Sequence, residues 1–180
     1  MGASVDPNLD LSKRLPSVVT NLRVLNLGAG MCASPISGQI PLFEFESIVN
    51  VEIWPSAFAK LQSIKFKARL VENVIDDAYI YLLRTPANEF DVVLLIDVLE
   101  HFADIRALEV LTMCRRVGRR VVIFIPIGQC DQDEYDGNPY QRHMSTWHIG
   151  DFVGASIELL PQLHRHFSPP VDAAWVIYEH

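Results

Sequence analysis

Val24-Leu25-Asn26-Leu27-Gly28-Ala29-Gly30-Met31-Cys32-Ala33-Ser34-Pro35 is an apolar run of strand length that meets two glycines and then a serine-proline pair. Gly28 and Gly30 permit a sharp backbone turn and let the main chain lie against a ligand where any side chain would collide. Ser34 followed by Pro35 predicts a helix start, with serine as cap and proline as first helical residue. Strand, glycine turn and helix in that order point to a nucleotide-like ligand held at the turn.

Outward from this stretch, apolar runs of strand length alternate with helical patterns. Strands are expected at 23–27, 47–53, 68–72, 90–96 and 120–125, the last stopped by Pro126. Between them, Ala57, Phe58, Leu61 and Ile64 share one helical face, and Asp76-Asp77 opens a helix carrying Tyr79, Ile80, Leu82 and Leu83. The clearest helix is capped by Asp104, carries Ile105, Leu108, Leu111 and Arg115, and closes at Gly118. Such alternation is the signature of a parallel sheet covered on both faces. Ser145 or Thr146 can cap a further helix through Phe152 and Val153. Two final apolar stretches, 157–167 and 173–178, flank Ser168-Pro169-Pro170 and are close enough to pair as an antiparallel edge. The expected fold is therefore α/β: a Rossmann-like, doubly wound, mostly parallel seven-stranded sheet with an antiparallel C-terminal hairpin and helices on both faces.

Residues 1–21, with Pro7 and Pro16, are expected to form an N-terminal tail with one short helix at most. The domain proper is expected over 22–180. Within it, 127–147 is a polar, loop-rich insertion, and a connection of that length containing aromatics and His143 suggests a lid over a substrate.

Composition bounds the function. The chain has 180 residues, 49% apolar and 21% charged, which suits one globular domain with a sizeable core. No apolar run is long enough for a membrane span and no signal-peptide pattern opens the sequence, so a soluble, cytoplasmic protein is expected. Cys32, Cys114 and Cys130 are odd in number and lack CxxC spacing; free thiols are expected, with no disulfide framework and no metal centre. A net charge of -7 disfavours a broad footprint for duplex nucleic acid and favours a small-molecule partner.

Two cofactor classes use such a glycine turn. Gly28-x-Gly30-x-x-Ala33 fits the dinucleotide fingerprint, and Glu52 ends the next apolar run roughly 20 residues on, where a ribose-binding carboxylate is expected. The third run, Phe90-Asp91-Val92-Val93-Leu94-Leu95-Ile96-Asp97-Val98-Leu99-Glu100-His101-Phe102, and the terminal hairpin shift the balance. These segments resemble the class I S-adenosylmethionine-dependent methyltransferases, whose first motif reads V-L-D-x-G-x-G and whose fourth strand often runs into a D-V-L-E-H turn. The resemblance covers about Leu22 to His180. It implies S-adenosyl-L-methionine as cofactor and methyl transfer to an oxygen or nitrogen of a small acceptor. An NAD-dependent oxidoreductase is the alternative enzyme, and a non-catalytic cofactor-binding or partner module the alternative to an enzyme.

By this resemblance the cofactor lies at the carboxyl ends of the strands, against Asn26, Gly28, Ala29 and Gly30, against Glu52 and Ile53, and against Asp97 and Val98. Glu52 would accept both ribose hydroxyls, and Asp76, in preference to Asp77, would receive the adenine amino group. Trp54 and Phe102 either flank the adenine or pack in the core. Two positions depart from the family pattern: Asn26 stands where an acidic residue is usual, and Cys32 where a third glycine is usual. In-line transfer from a sulfonium needs alignment, exclusion of water and, where the acceptor carries a proton, a base. His143 is the first candidate base, Tyr135 and Tyr140 can orient an acceptor, and Asp97 and His101 stand nearer the cofactor. Alternatively, Asp97 caps the turn and Glu100-His101 is a surface pair. Arg115, Arg116, Arg119 and Arg120 are expected to form a solvated helix end. Asn138-Pro139-Tyr140 is similar to the Asn-Pro-Pro-Tyr signature of amino-group methyltransferases. That signature belongs at the end of the fourth strand, here Asp97-Val98-Leu99-Glu100, so it is not assigned.

Overall fold

Side-chain parity along the strands builds the two faces of the sheet. The computed structural model describes residues 6–165 and 167–179; residues 1–5 of the expected tail, and His166 in the sixth expected strand, lie outside them. Seven strands, β1 (Arg23–Leu27), β2 (Ser47–Glu52), β3 (Leu70–Ile75), β4 (Phe90–Ile96), β5 (Gly118–Ile127), β6 (Ser156–His164) and β7 (Val171–Glu179), form one sheet in the order β3-β2-β1-β4-β5-β7-β6. The first five run parallel; β7 is antiparallel to both β5 and β6. Helix α1 (Pro55–Leu61) follows β2. Leu25, Leu27, Val93, Leu95, Val121, Ile123 and Ile125 face one core, with α2 (Ala78–Arg84), α3 (Asp104–Val117), Trp147 and Phe152. Their neighbours Val24, Val92, Leu94, Val122 and Phe124 face the other, where Leu11, Leu15, Ile36 and Ile40 cover them. Continuous apolar runs are what strands buried on both sides require.

Several local expectations shift. The third strand runs to Ile75, beyond the expected end at residue 72, because it keeps register with β2 through Glu52↔Ile75. The fifth strand passes through Pro126, which pairs with Ala173 in the ladder to β7. No α-helix follows Ser34-Pro35. The Ser34 and Ser37 hydroxyls bond each other at 2.8 Å, and each accepts from the other residue's backbone N–H. A 3₁₀ turn, Ser37–Leu42, with Pro41 inside, takes the helix's place. Such local side-chain bonds offer the backbone an alternative to a helix. Residues 145–153 likewise hold only a 3₁₀ turn, Ile149–Asp151, capped by His148 and Asp151 instead of by Ser145 or Thr146. Asp104 is the first residue of α3, and Ala103 is its cap.

The N-terminal segment is part of the core over its described length. Leu11 and Leu15 are buried, Gln39 donates to the Leu9 carbonyl at 2.8 Å, and the Trp175 indole donates to the Asn8 carbonyl at 2.8 Å. The arginines at the end of α3 are also more engaged than a solvated face requires. Arg116 donates to the carbonyls of Leu82 and Thr85, Arg115 lies over the Tyr178 ring, and Arg120 pairs with Glu179.

At the α3–β5 junction the main chain passes close to Val93, and a Cβ on Gly118 would stand 2.5 Å from its Cγ2. Gly118→Ala is therefore expected to cost about 2 kcal/mol through overpacking. A lowered urea midpoint at unchanged slope would show it, and an unchanged midpoint would mean that Val93 moves aside freely.

Candidate active site

Across β1, β2 and β3, Asn26, Asn50 and Asn73 stand side by side in register. The Asn26 amide donates to Asn50 at 2.9 Å, and the Asn50 amide donates to Asn73 at 2.9 Å. This ladder fixes the strands whose carboxyl ends carry the site. It also gives Asn26 a place within the sheet, away from the cleft that was expected to include it.

Above the ladder the chain turns at Gly28 (φ +58) and Gly30 (φ +56), and the Ala29 N–H donates to the Val51 carbonyl at 3.0 Å. Ala29 is buried by that bond and does not line the cleft. A Cβ at Gly28 would stand 2.8 Å from Val98 Cγ2, so glycine is required there both by φ and by space. Cys32 shares the left-handed conformation (φ +49), which accounts for the family's preference for glycine at its position.

Glu52 organises the turn. Only 6% exposed, its carboxylate accepts from the Gly30 N–H and from the Trp54 N–H, each at 2.7 Å, so one carboxylate ties the loop after β1 to the loop after β2. Each oxygen retains a further lone pair. Asp77 caps α2 by accepting from Ile80, and Asp76 pairs with Arg84; both line the cleft, with the capping role falling to Asp77.

These groups line one cleft of about 680 Å³, open mouth included. Gly28, Gly30, Glu52, Ile53 and Asp76 form one side, and Asp97, Val98, His101 and Phe102 the other. Asn138, Tyr140 and Gln141 of the long loop close over it. Of the expected residues, the structure therefore gathers Gly28, Gly30, Glu52, Ile53, Asp76, Asp97, Val98 and His101. Ala57, Asn138 and Gln141 were not foreseen; the Asn-Pro-Tyr turn was the available signal for the last two.

Beyond Asp97 and His101 lies a second cavity of about 520 Å³, lined also by Glu100, Cys130, Gln132 and His143. Its wall is the loop 128–147, closed by a bridge between Gly128 and Trp147. The loop is docked on the Glu100 carbonyl, which accepts from Met144 at 2.7 Å and Ser145 at 3.2 Å. His101 and His143 stand with ring centroids 5.1 Å apart. Tyr135, expected to orient an acceptor, is 69% exposed and lines neither cavity, because its main chain turns outward in a bridge with Asn138. Glu100 is 2% exposed, so Glu100-His101 is no surface pair.

Burial shifts the titratable groups of the second cavity toward their neutral forms. Asp97 holds a left-handed backbone (φ +54), a conformation that costs a non-glycine residue on the order of 1 kcal/mol. Burial pushes its carboxyl up. Glu100 is pushed well above the usual carboxylate range by burial and then by Asp97. Burial pushes the His101 imidazole down to about 4 and lowers that of His143 as well. Both imidazoles are therefore neutral at pH 7.

A family profile described as "Methyltransferase domain" matches residues 25–125. The chain belongs to that family. The methyltransferase is similar in fold to a SAM-dependent methyltransferase from Archaeoglobus fulgidus, with 18% identity, TM-score 0.63, and 93% of this chain and 90% of that one covered. It is also similar to phosphoethanolamine N-methyltransferase 2 of Haemonchus contortus, solved with phosphomonomethylethanolamine and S-adenosylhomocysteine. There the identity is 14%, the TM-score 0.66, and the coverage 94% of this chain and 51% of that one. The [4+2]-cyclase SpnF shares the fold at 11% identity and TM-score 0.65, covering 94% of this chain and 79% of that one. No curated protein matches the sequence. The methyltransferase is of class I, and its cofactor is S-adenosylmethionine. No helix among the described residues is long and apolar enough to cross a membrane. A pyrophosphate site, which a dinucleotide needs at a helix N-terminus after β1, has no counterpart, since a 3₁₀ turn stands there.

Proposed function

We propose that the methyltransferase methylates an oxygen or nitrogen of a small acceptor held in the cavity beyond Asp97 and His101. The observation that carries this reading is the shared wall: Asp97, His101 and Gln141 line both the glycine-turn cleft and the second cavity. The bound cofactor supplies an electrophilic methyl on a sulfonium, whose departure leaves a neutral thioether.

The residues present fit that cofactor. Glu52 offers two oxygens with spare lone pairs to a vicinal diol, a match for the ribose hydroxyls. Asp76 offers an acceptor to the adenine amino group, and Ile53 and Phe102 give apolar walls to its ring. Gly28 and Gly30 leave room for the amino-acid part, and Val98 closes beneath it. Toward the acceptor, the chain's task is orientation and exclusion of water, with the neutral lone pairs of His101 and His143 at the place where an acceptor's proton leaves.

The test is calorimetric titration with S-adenosylhomocysteine and with NAD, followed by incubation with methyl-labelled S-adenosylmethionine and the small-molecule fraction of a cell extract. Binding of the homocysteine compound alone, and label entering a small molecule in a manner reduced by His143→Ala, is expected. Binding without label transfer would favour a cofactor-holding module over an enzyme. Label entering only protein or nucleic acid would overturn the small-acceptor assignment.

A further inference from the structure

We propose that Glu100, His101 and His143 form a binding site for one divalent transition-metal ion in the wall of the second cavity. The possible ligand atoms of these three residues all lie within 4.8 Å of one another, the one such group found among the described residues. Metal chemistry was not expected from the sequence, because the cysteine spacing gave no sign of it and His143 lies 42 residues from His101.

Three observations bear on the site independently. First, Glu100 Oε2 is buried without a hydrogen-bond partner, in a side chain 98% removed from solvent. A buried carboxyl oxygen left alone costs free energy that a cation would return. Second, each imidazole directs Nδ1 at a main-chain carbonyl: His101 at Arg142 (3.2 Å) and His143 at Cys130. An Nδ1–H held by a carbonyl fixes the tautomer with a bare Nε2 lone pair, the arrangement by which proteins orient histidine ligands. Third, Asp97 lines the same cavity wall, which places a second carboxyl group beside the three ligands.

Two imidazole nitrogens and the Glu100 carboxylate, which gives up its proton as the ion binds, select a first-row transition ion over magnesium, which prefers oxygen ligands. Three protein ligands leave a coordination position open, the pattern of sites where the ion works on a bound oxygen. That position adjoins the acceptor cavity. If the methyl-transfer reading holds, the favoured acceptor is therefore a hydroxyl, which coordination to the ion makes acidic enough to release its proton to solvent, the two imidazole lone pairs then being occupied as ligands and no longer serving as bases; the metal site itself does not depend on that reading.

The experiment uses the full chain without an affinity tag, stripped with chelator and then titrated with Zn²⁺ by calorimetry and with Co²⁺ by visible absorption, in the absence of cofactor. One equivalent is expected to bind, with Co²⁺ absorption indicating nitrogen ligation and magnesium failing to compete. His143→Ala and Glu100→Gln are each expected to weaken Zn²⁺ about a hundredfold or more. Because Glu100 is buried, His143→Ala on the loop is the variant expected to fold without difficulty, and its S-adenosylhomocysteine affinity should be unchanged. Absence of stoichiometric binding, equal binding to the His143 variant, or displacement by magnesium would overturn the proposal. Metal binding without methyl transfer would leave the site standing and sink the reading of the acceptor.

Discussion

Glu52→Ala is expected to weaken S-adenosylhomocysteine binding at least about a hundredfold, the largest effect of any single change in the cleft. Hydrogen bonds to a charged group contribute about 1.5–3 kcal/mol each. Two of them to a diol therefore amount to two powers of ten or more in affinity. A second loss adds to the first. The same carboxylate holds the Gly30 and Trp54 N–H groups at 2.7 Å, so its removal frees the two loops that shape the floor of the cleft. Glu52→Gln separates the two contributions. It keeps one acceptor oxygen but sets an NH₂ group against a backbone donor, and should fall between wild type and alanine. Calorimetry on all three proteins would check this. A Glu52→Ala protein binding within about threefold of wild type would show that the ribose lies elsewhere.

Asn50→Leu is expected to destabilise the fold by about 3 kcal/mol. Asn50 is fully buried in the middle of β2 and both accepts from Asn26 and donates to Asn73. Leucine leaves the Asn26 amide, itself 2% exposed, with an unmet donor in an apolar sheet, at about 1–3 kcal/mol, and strips Asn73 of its partner as well. Replacing all three asparagines by leucine removes donors and acceptors together, and should recover much of the loss. Urea denaturation of the single and triple variants decides it: a single variant as stable as wild type would mean that the ladder contributes nothing to the sheet.

The sheet was legible because parity and apolar runs are local properties. Each strand from β1 to β5 announces itself within a few residues, and the glycine turn with Glu52 carries its own spacing. What escaped notice depends on partners distant in sequence. Asn26, Asn50 and Asn73 each interrupt an apolar strand, but only their register makes a ladder of them. Asn26, expected against the cofactor, is the first rung of that ladder. The missing helix after Gly30 was lost to the Ser34–Ser37 exchange, a competition between side chain and backbone that a cap rule does not weigh. Tyr135, expected to orient an acceptor, and His143, the first candidate base, come from the same polar loop, yet Tyr135 is exposed and His143 lines Glu100's cavity.

The anchoring of residues 128–147 also bears on turnover. With Met144 and Ser145 both fastened to one carbonyl and His143 donating its N–H to Gln132, the stretch 143–145 is pinned against the cavity, while the positive-φ glycines of the segment, Gly128 and Gly137, lie outside the pinned stretch. On the small-acceptor reading, what reaches His143 is then sorted by the girth that this pinned stretch admits.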